Sequence, residues 1–302
     1  MGLFNKKKIL VTHNGAFHAD DLFATAALSI LNKGNIKIIR TRDLETKGDY
    51  IYDIMGQYDP DNDIFDHHQK GGAGVRDNGI PYAAFGLVWE KYGEQICGSK
   101  EVAQKIDKKV VQPIDAKDNG VDVSESIFPG IKEYSAQHFF LNYCPTWKED
   151  DINVDKIFKK QVKEAIKALK REIKVAQDDV EGEKIIMNAY NNIEDKRIVI
   201  INQFFPRYLI QNTLSTLEEP IYIIYPSRHS DLWKVEAVKK TPTTMESRKA
   251  FPEEWRGSVG DEEKLKKITG DPEIIFCHNS GFLIVTETKE SAIKLANKSL
   301  CL

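Results

Sequence analysis

Short apolar segments alternate with helical segments in the first third of this 302-residue chain, and this alternation limits its fold more than any other feature. The segments KKILVTH, IKIIRTRD, DYIYDIMG and IFDHH have the length and composition of buried strands, and DDLFATAALSILNKG has those of a helix. Strands separated by helices predict a parallel sheet. Ligands bind such sheets beyond the carboxyl ends of the strands, so we expect the functional residues there.

The remainder of the chain divides into two further parts. PYAAFGLVWEKYG and SKEVAQKIDKKVVQPIDA predict helices that cover the sheet, and a long helical pattern follows at about residues 148–181. From about residue 183 the pattern predicts strands at KIIMNAY, RIVIINQ, PIYIIYP, WKVEAV and EIIFCHNSGFLIVTE, and then a final helix at KESAIKLANKSL. We therefore predict an α/β chain with a parallel-sheet catalytic domain at residues 1–147, a connector helix at 148–182 and a smaller α+β substrate-binding domain at 183–302.

Composition and charge exclude several classes of protein. Hydrophobic residues make up 41% and charged residues 29%, as in folded globular proteins. The net charge of −3 argues against a protein that coats nucleic acid generally. No apolar run approaches the roughly 18 residues of a membrane span, the amino terminus lacks a secretory signal, and the cysteines form no C-x-x-C pair. These features predict a reduced, cytoplasmic protein.

Histidine and aspartate residues collect at the predicted strand ends. Four of the seven histidines lie between residues 13 and 68. Imidazole and carboxylate groups together suit Mn²⁺, Mg²⁺ or Zn²⁺. Each residue alone is more often a cap, a turn residue or a solvated side chain, but their coincidence at one sheet edge predicts a metal site. The candidates are His13, His18, Asp20, Asp53, Asp66, His67, His68, Asp115 and Asp118.

Such a cluster suits phosphoryl hydrolysis. Two ions about 3.5–4 Å apart can share a bridging carboxylate and activate a water for attack on phosphorus. The chain contains no G-x-S-x-G elbow and no P-loop that would supply a competing mechanism. We therefore predict a two-metal phosphoesterase.

Several of these segments resemble a known family. THNGAFHADD, RTRD, DIMGQYDP with FDHHQ, and PIDAKDNG resemble the melanocyte-proliferating-gene family of metal-dependent exonucleases (UPF0160 type), a branch of the DHH phosphoesterases. FPEEWRG and FCHNSGF are similar to that family's carboxyl-terminal domain. The resemblance covers nearly the whole chain. It implies a DHH-type catalytic domain and a 3′–5′ exonuclease that removes nucleotides from single-stranded RNA or short oligonucleotides with metal-activated water.

The resemblance also implies a set of metal ligands for two divalent ions, with Mn²⁺ preferred over Mg²⁺ or Zn²⁺. In this arrangement His13 and Asp20 hold one ion and His18 and His67 hold the other. Asp53 bridges the two ions and has a catalytic role. His18 stands where many other DHH branches have Asp, which favours Zn²⁺ or Mn²⁺.

Two positions complete the implied site. Either Asp115 or Asp118 completes the second metal position, and Asp115 is slightly preferred because it directly follows an apolar stretch. His68 is expected beside the reacting phosphate as a catalytic donor or as a partner of the ligands. Asp20 or Asp21 is also expected to cap the first helix, which Gly34 would end.

The second domain is expected to bind the substrate. A turn of small and polar residues lies between two strong strand patterns, and its backbone amides can approach an anion. This turn consists of His278, Asn279, Ser280 and Gly281. Three arginines are further phosphate-binding candidates, although each alone is more often a surface residue: Arg228, Arg248 and Arg256.

Basic residues on the connector helix follow helical spacing. They fall within one face roughly 120° wide, opposite the apolar stripe, and such a face can follow a nucleic-acid backbone or can simply be solvated. The eight residues are Lys156, Lys159, Lys160, Lys163, Lys167, Lys170, Arg171 and Lys174. Trp147, Trp233 and Trp255 could stack on bases, but packing in a core or an interface is the more common role.

Two other functions fit the sequence. A pyrophosphatase or a nucleotide or oligonucleotide phosphodiesterase would share the metal cluster, and only substrate tests separate it from a nuclease. A non-catalytic RNA-binding protein that retains the fold would not need the full set of ligands. The sequence leaves the RNA target, the native metal and the oligomeric state open, and a homodimer is compatible with it.

Overall fold

The computed structural model describes residues 6–257, 260 and 262–302. The chain forms two compact units, Met1–Gln177 and Asp178–Leu302. No helix in the described part of the chain is both long and apolar enough to cross a membrane.

A five-stranded sheet organises the first unit. Its strands are β1 (Lys8–Thr12), β2 (Ile36–Arg40), β3 (Tyr50–Tyr52), β4 (Tyr58–Asp59) and β5 (Ile64–Phe65). They lie in the order β2-β1-β3-β5-β4, and every pair is parallel except β4 with β5. The predicted parallel sheet is therefore confirmed, with a short antiparallel strand at one edge.

Five helices of the first unit accompany this sheet; α1 connects β1 to β2, and the other four follow β5. They are α1 (Ala19–Leu31), α2 (Ala84–Cys97), α3 (Lys100–Ile106), α4 (Gln112–Asp118) and α5 (Ala136–Leu141). Residues Asp107–Val111 form a π-helical turn between α3 and α4. Pro113 follows that turn in the first turn of α4, and a proline lacks the N–H that a regular α-helix would use there.

The amino-terminal end of α1 differs from the sequence-based prediction, which placed the cap at Asp20 or Asp21. The amino-terminal cap is His18, so Asp20 and Asp21 both lie inside the first turn of the helix. At the other end Gly34 has φ 77°, the left-handed conformation that glycine adopts readily after a helix. The correction matters because it places both carboxylates on the helix, where they point in directions about 100° apart.

The long helix α6 spans Val154–Asn191 and extends beyond its predicted end. The prediction of a strand at KIIMNAY was wrong, because this segment is the last part of α6. Val180, Ile186 and Tyr190 are buried at helical spacing and continue the apolar stripe. The helix continues through Gly182. A larger residue would not fit at this position, because its Cβ would lie 2.6 Å from the side chain of Leu209.

A second five-stranded sheet organises the second unit. Its strands are β6 (Ile198–Ile200), β7 (Tyr222–Pro226), β8 (Trp233–Ala237), β9 (Ile274–Cys277) and β10 (Leu283–Thr286), in the order β6-β7-β8-β10-β9. Only β6 and β7 are parallel.

The described part of the second unit also contains the end of α6 and three α-helices, α7 (Arg207–Leu214), α8 (Glu262–Thr269) and α9 (Lys289–Cys301). Its core includes Tyr222, Phe251 and Trp255, with the Tyr222 and Phe251 rings stacked 4.8 Å apart.

Candidate metal centre

The strand order brings three polar loops to one edge of the first sheet. His13 directly follows β1, Asp53 directly follows β3, and Asp66 directly follows β5. These strands are neighbours and parallel, so their carboxyl ends lie side by side. The concentration of His and Asp expected from the sequence is thus a direct result of the topology.

The start of α1 adds further side chains to this edge. The N–H of His18 donates to Asp21 Oδ1 (2.9 Å), which fixes that carboxylate. Asp20 accepts hydrogen bonds from the N–H groups of Phe85 (2.7 Å) and Ala84 (3.1 Å) at the start of α2. Asp20 and Asp21 are both fully buried, so the first turn of α1 presents two fixed carboxylates to the site.

Short distances connect the histidines and carboxylates. His13 Nε2 lies 3.2 Å from both Asp21 Oδ2 and Asp53 Oδ2. His67 Nε2 lies 3.4 Å from Asp118 Oδ2. These contacts belong to three groups whose ligand atoms lie within 4.8 Å of one another. The groups are His13, Asp21 and Asp53; Asp53, His67 and His68; and Asp20, His67 and Asp118.

The three groups form one continuous cluster. Asp53 belongs to two of them and His67 also belongs to two. A carboxylate shared between adjacent groups is what a bridged pair of divalent ions needs. The nitrogen and oxygen donors suit Mn²⁺, Mg²⁺ or Zn²⁺.

Buried atoms without partners provide a second indication of cation binding. Asp21 Oδ2, Asp53 Oδ1 and His67 Nδ1 are buried and make no well-aligned hydrogen bond with the described residues, although His13 Nε2 lies 3.2 Å from Asp21 Oδ2. A buried carboxylate oxygen without a donor is unfavourable unless a cation compensates it. The residues present therefore fit a metal site.

The grouping differs from the one that the resemblance implied. Asp20 lies with His67 and Asp118, whereas the carboxylate beside His13 is that of Asp21. The sequence reasoning treated Asp21 only as a possible cap and missed it as a site residue. The available signal was the pair of adjacent carboxylates in one helical turn, since the two must face different neighbours.

Asp115 and Asp118 lie one turn apart on α4 and have different partners. Asp115 accepts hydrogen bonds from Arg76 Nη2 (2.7 Å) and from the N–H of Gly86 (3.0 Å). Asp118 instead faces His67 and His18, whose Nδ1 lies 3.5 Å from Asp118 Oδ1. The geometry therefore favours Asp118 over the preferred Asp115, whose carboxylate is already occupied.

Close packing holds Asp115 in its position. A Cβ at residue 86 would lie only 1.8 Å from Asp115 Oδ2, so glycine is required there. Burial raises the pKa of Asp115 to about 7, although the guanidinium of Arg76 acts in the opposite direction. Asp115 thus supports α2 and α4 behind the metal cluster.

The electrostatics of the cluster reflect its crowded carboxylates. Burial opposes protonation of His13, but the carboxylates of Asp21 and Asp53 outweigh it and raise the pKa of His13 to about 10. Burial raises the pKa of both Asp20 and Asp21. The pKa of Asp53 is lowered, because its contact with His13 outweighs the effect of burial.

The loop after β3 has an unusual backbone. Asp53 has φ 53° and Met55 has φ 113°, both in the region that non-glycine residues rarely adopt. Asp66 stabilises this loop by accepting hydrogen bonds from the N–H groups of Gly56 (2.5 Å) and His67 (2.7 Å). The conformation of Asp53 is thus maintained by the neighbouring strand end.

Two histidines form the solvent-exposed side of the cluster. The side chain of His68 is 61% exposed and that of His18 is 41% exposed, whereas that of His13 is 10% exposed. Asp66 Oδ1 lies 2.7 Å from His68 Nδ1, and this hydrogen bond raises the pKa of His68. His68 Nε2 is therefore the ring nitrogen available to a ligand.

The arginines proposed as phosphate contacts in the second unit have structural partners. Arg248 donates to four backbone carbonyls, those of Ser215, Leu217, Glu218 and Pro220. Arg256 Nε donates to the carbonyl of Phe251 (2.8 Å). Arg228 lies over the ring of Phe204, with 5.6 Å between the guanidinium carbon and the ring centroid. The geometry does not favour Arg248 as an anion ligand.

The turn predicted to bind substrate lies between β9 and β10. The N–H of Ser280 donates to His278 Nδ1 (3.1 Å), and Gly281 has φ 66°. Asn279 and Ser280 are exposed. This turn therefore presents polar groups to solvent.

The three tryptophans considered for base stacking differ in exposure. Trp255 is fully buried in the core of the second unit, Trp233 is half-buried, and the side chain of Trp147 is largely exposed. Of the three, only Trp147 presents most of its ring to solvent.

Sequence comparisons identify the family of this chain. Residues 9–300 match the family MYG1_exonuc, described as an uncharacterised protein family (UPF0160). The chain is 29% identical to the MYG1 protein of Schizosaccharomyces pombe, over 96% of this chain and 97% of that protein. It is 27% identical to the MYG1 exonuclease of Homo sapiens (96% and 85%) and 28% identical to the MYG1 protein of Chlamydia trachomatis (95% and 94%). Because the match includes the whole metal cluster and nearly the whole chain, this protein belongs to the MYG1 family, UPF0160.

Proposed function

We propose that this chain is a metal-dependent nuclease of DHH type that removes nucleotides from the 3′ end of single-stranded RNA. The observation that carries the proposal is the continuous His–Asp cluster in which Asp53 is shared between two ligand groups. The relatives named MYG1 exonuclease support the nuclease assignment. The preference for RNA, the 3′–5′ direction and the choice of Mn²⁺ rest on the family resemblance.

The residues divide into two ligand sets around Asp53. His13, Asp21 and Asp53 would hold one ion, and Asp53, His67 and Asp118 would hold the other with Asp20. Bound divalent ions supply Lewis acidity and an activated water for hydrolysis of a phosphodiester.

The exposed histidines would contact the substrate. Asp66 fixes the ring of His68 through Nδ1, so that Nε2 can donate a hydrogen bond to a phosphate oxygen. His18 Nδ1 lies 3.5 Å from Asp118 Oδ1. Both side chains then orient the phosphate over the buried ligands.

The basic face of α6 offers a path for the rest of the RNA. All eight basic residues from Lys156 to Lys174 are exposed. Many are separated by four residues from another cation, as in Lys159 and Lys163, and such like-charge pairs destabilise an isolated helix. A phosphate backbone on this face would remove that repulsion.

The start of this basic face is fixed near the metal-binding loop. Arg40, whose side chain is buried, donates to Asp155 (2.8 Å) in the first turn of α6 and to the carbonyl of Gly15 (2.9 Å) in the loop after β1. The guanidinium also lies over the ring of Phe158. Lys156 therefore begins the basic face close to the loop that carries His13.

Three further parts of the proposal rest on the sequence alone. They are the functional division into residues 1–147, 148–182 and 183–302, the cytoplasmic location and the compatibility with a homodimer. The division between the two compact units falls within the sequence of α6, after residue 177.

The deciding experiment is hydrolysis of end-labelled RNA, DNA, dinucleotides and pyrophosphate with Mn²⁺, Mg²⁺ or Zn²⁺. Asp53→Asn and His67→Ala variants test the cluster, and Asp59→Asn and His229→Ala serve as matched controls outside it. Stepwise shortening of RNA that only the cluster variants lose would support the proposal. Hydrolysis of pyrophosphate alone would assign the chain to the small-phosphate branch, and RNA binding without hydrolysis would indicate a binding protein.

A further inference from the structure

A buried ion pair in the second unit holds an arginine that the sequence reasoning did not select. Glu236 lies on β8 and is 1% exposed. Its carboxylate accepts hydrogen bonds from Arg207 Nε, Gln211 Nε2 (2.8 Å) and Tyr225 Oη (2.7 Å). Three donors therefore satisfy this carboxylate and fix the plane of the guanidinium.

The outer edge of Arg207 remains available. Its side chain is 37% exposed, and its guanidinium carbon lies 4.6 Å from the ring centroid of Phe282. Glu236 binds Nε, and the two terminal nitrogens have no hydrogen-bond partner among the described residues. Arg248 differs, because its terminal nitrogens all donate to backbone carbonyls. A guanidinium fixed on one side with a free fork on the other is suited to binding an anion.

A second donor lies against the same aromatic ring. The ring centroid of His278 is 4.4 Å from that of Phe282. Because the N–H of Ser280 donates to His278 Nδ1, that nitrogen accepts and the ring proton is on Nε2. His278 is therefore also a hydrogen-bond donor, and both side chains contact Phe282.

We propose that Arg207 and His278 form a phosphate-binding site in the second unit, with Glu236 as the residue that positions Arg207. The identity of the ligand, a phosphate of the nucleic-acid substrate, rests on the proposed function. The site contains no metal ligands and binds phosphate by hydrogen bonds and charge alone. It explains why a buried acid lies beneath an exposed arginine, an arrangement that a purely structural arginine does not need.

Binding without catalysis tests this site. A fluorescein-labelled decauridylate is titrated into the full chain in EDTA, and fluorescence anisotropy gives the dissociation constant. Arg207→Lys retains the ion pair but loses the planar fork. The double variant Arg207→Gln with Glu236→Gln removes both charges, so that neither is left buried alone. Circular dichroism verifies that each variant is folded.

We expect the double variant to weaken binding by about 10- to 100-fold, as for loss of a charged hydrogen bond, and Arg207→Lys to have an intermediate effect. Arg197→Gln is the matched control, because it removes one exposed positive charge from the same unit. Unchanged affinity in a folded double variant, an equal loss in the control, or no binding by the wild-type chain would overturn the proposal. Hydrolysis is measured separately, so an inactive chain that still loses binding on Arg207 substitution would refute only the nuclease function.

Discussion

Buried carboxylates in the two units are satisfied in opposite ways. Glu236 in the second unit accepts three hydrogen bonds from side chains. In the first unit Asp21 Oδ2 and Asp53 Oδ1 accept no well-aligned hydrogen bond from the described residues, and the nitrogen atoms nearest to them belong to His13 (3.2 Å) and His68 (3.5 Å). A protein that buries an acid normally supplies aligned donors, so carboxylate oxygens that face only imidazole rings are suited to binding a metal ion together with those rings. The number of hydrogen-bond donors around a buried carboxylate thus distinguishes a structural acid from a metal ligand.

The largest test of this comparison is removal of the shared carboxylate. Asp53→Asn should lower hydrolysis by about 1,000-fold or more, because one change removes an oxygen ligand from both ligand groups. The midpoint of thermal unfolding in EDTA should fall only modestly, because the variant loses the charged contact with His13 but asparagine tolerates the left-handed backbone of residue 53.

The measurement combines steady-state kinetics on labelled RNA with calorimetry of the same samples. Asp59→Asn, at the half-buried end of the edge strand β4, is the matched control. Retention of activity in Asp53→Asn, or collapse of the fold without metal, would contradict the assignment of Asp53 as a bridging ligand.

The second test uses pH. His13 has a pKa of about 10 in the metal-free chain, so it is protonated at neutral pH and must lose its proton before it binds a metal. The affinity for Mn²⁺ should therefore rise with pH, by about tenfold per unit and about 100-fold between pH 7 and pH 9. Isothermal titration in buffers of different ionisation enthalpy should show proton release on binding. An affinity that is flat over this range would exclude His13 as a ligand.

The third test concerns Glu236, whose carboxylate accepts three hydrogen bonds. Glu236→Leu removes the partner of Arg207 and of two neutral donors, and we expect it to lower the free energy of unfolding by about 2–3 kcal/mol. Denaturation by urea measures the change, and Glu246→Leu, at an exposed ion pair, is the control. A stability loss no larger than that of the control would show that Glu236 is not a structural acid.

The sequence predicted the places where charge collects better than the pairing of the charges. His13, Asp53 and Asp66 each follow a parallel strand, and parallel strand ends necessarily meet at one edge. The roles of Asp20 and Asp21 depend on the rotation of α1, and those of Asp115 and Asp118 on one helical turn of α4. Such differences follow from side-chain contacts, as with Arg76 for Asp115.

The second unit was harder to predict for a related reason. KIIMNAY contains a short apolar run of a kind found in both strands and helices. In the structure it is helical, and its apolar residues pack with Phe205 and Leu209 in the core of the second unit. Arg207 and Glu236 lie 29 residues apart, and neither has a local motif. The contact of α7 with β8 brings them together, and no sequence spacing records this contact.

The smallest expected effect concerns charge left unbalanced on the surface. Lys163 lies four residues from both Lys159 and Lys167, so Lys163→Gln should stabilise the chain slightly, by about 0.5 kcal/mol.

A variant with glutamine at positions 156, 160, 163 and 170 should bind RNA more weakly, and the slope of log affinity against log salt should fall by about 3. Anisotropy titrations at several salt concentrations measure the slope, and glutamine at the exposed lysines 7, 33, 37 and 47 is the control. An unchanged slope would mean that the α6 face is only solvated, and that unbalanced charge marks a ligand in the buried cluster alone.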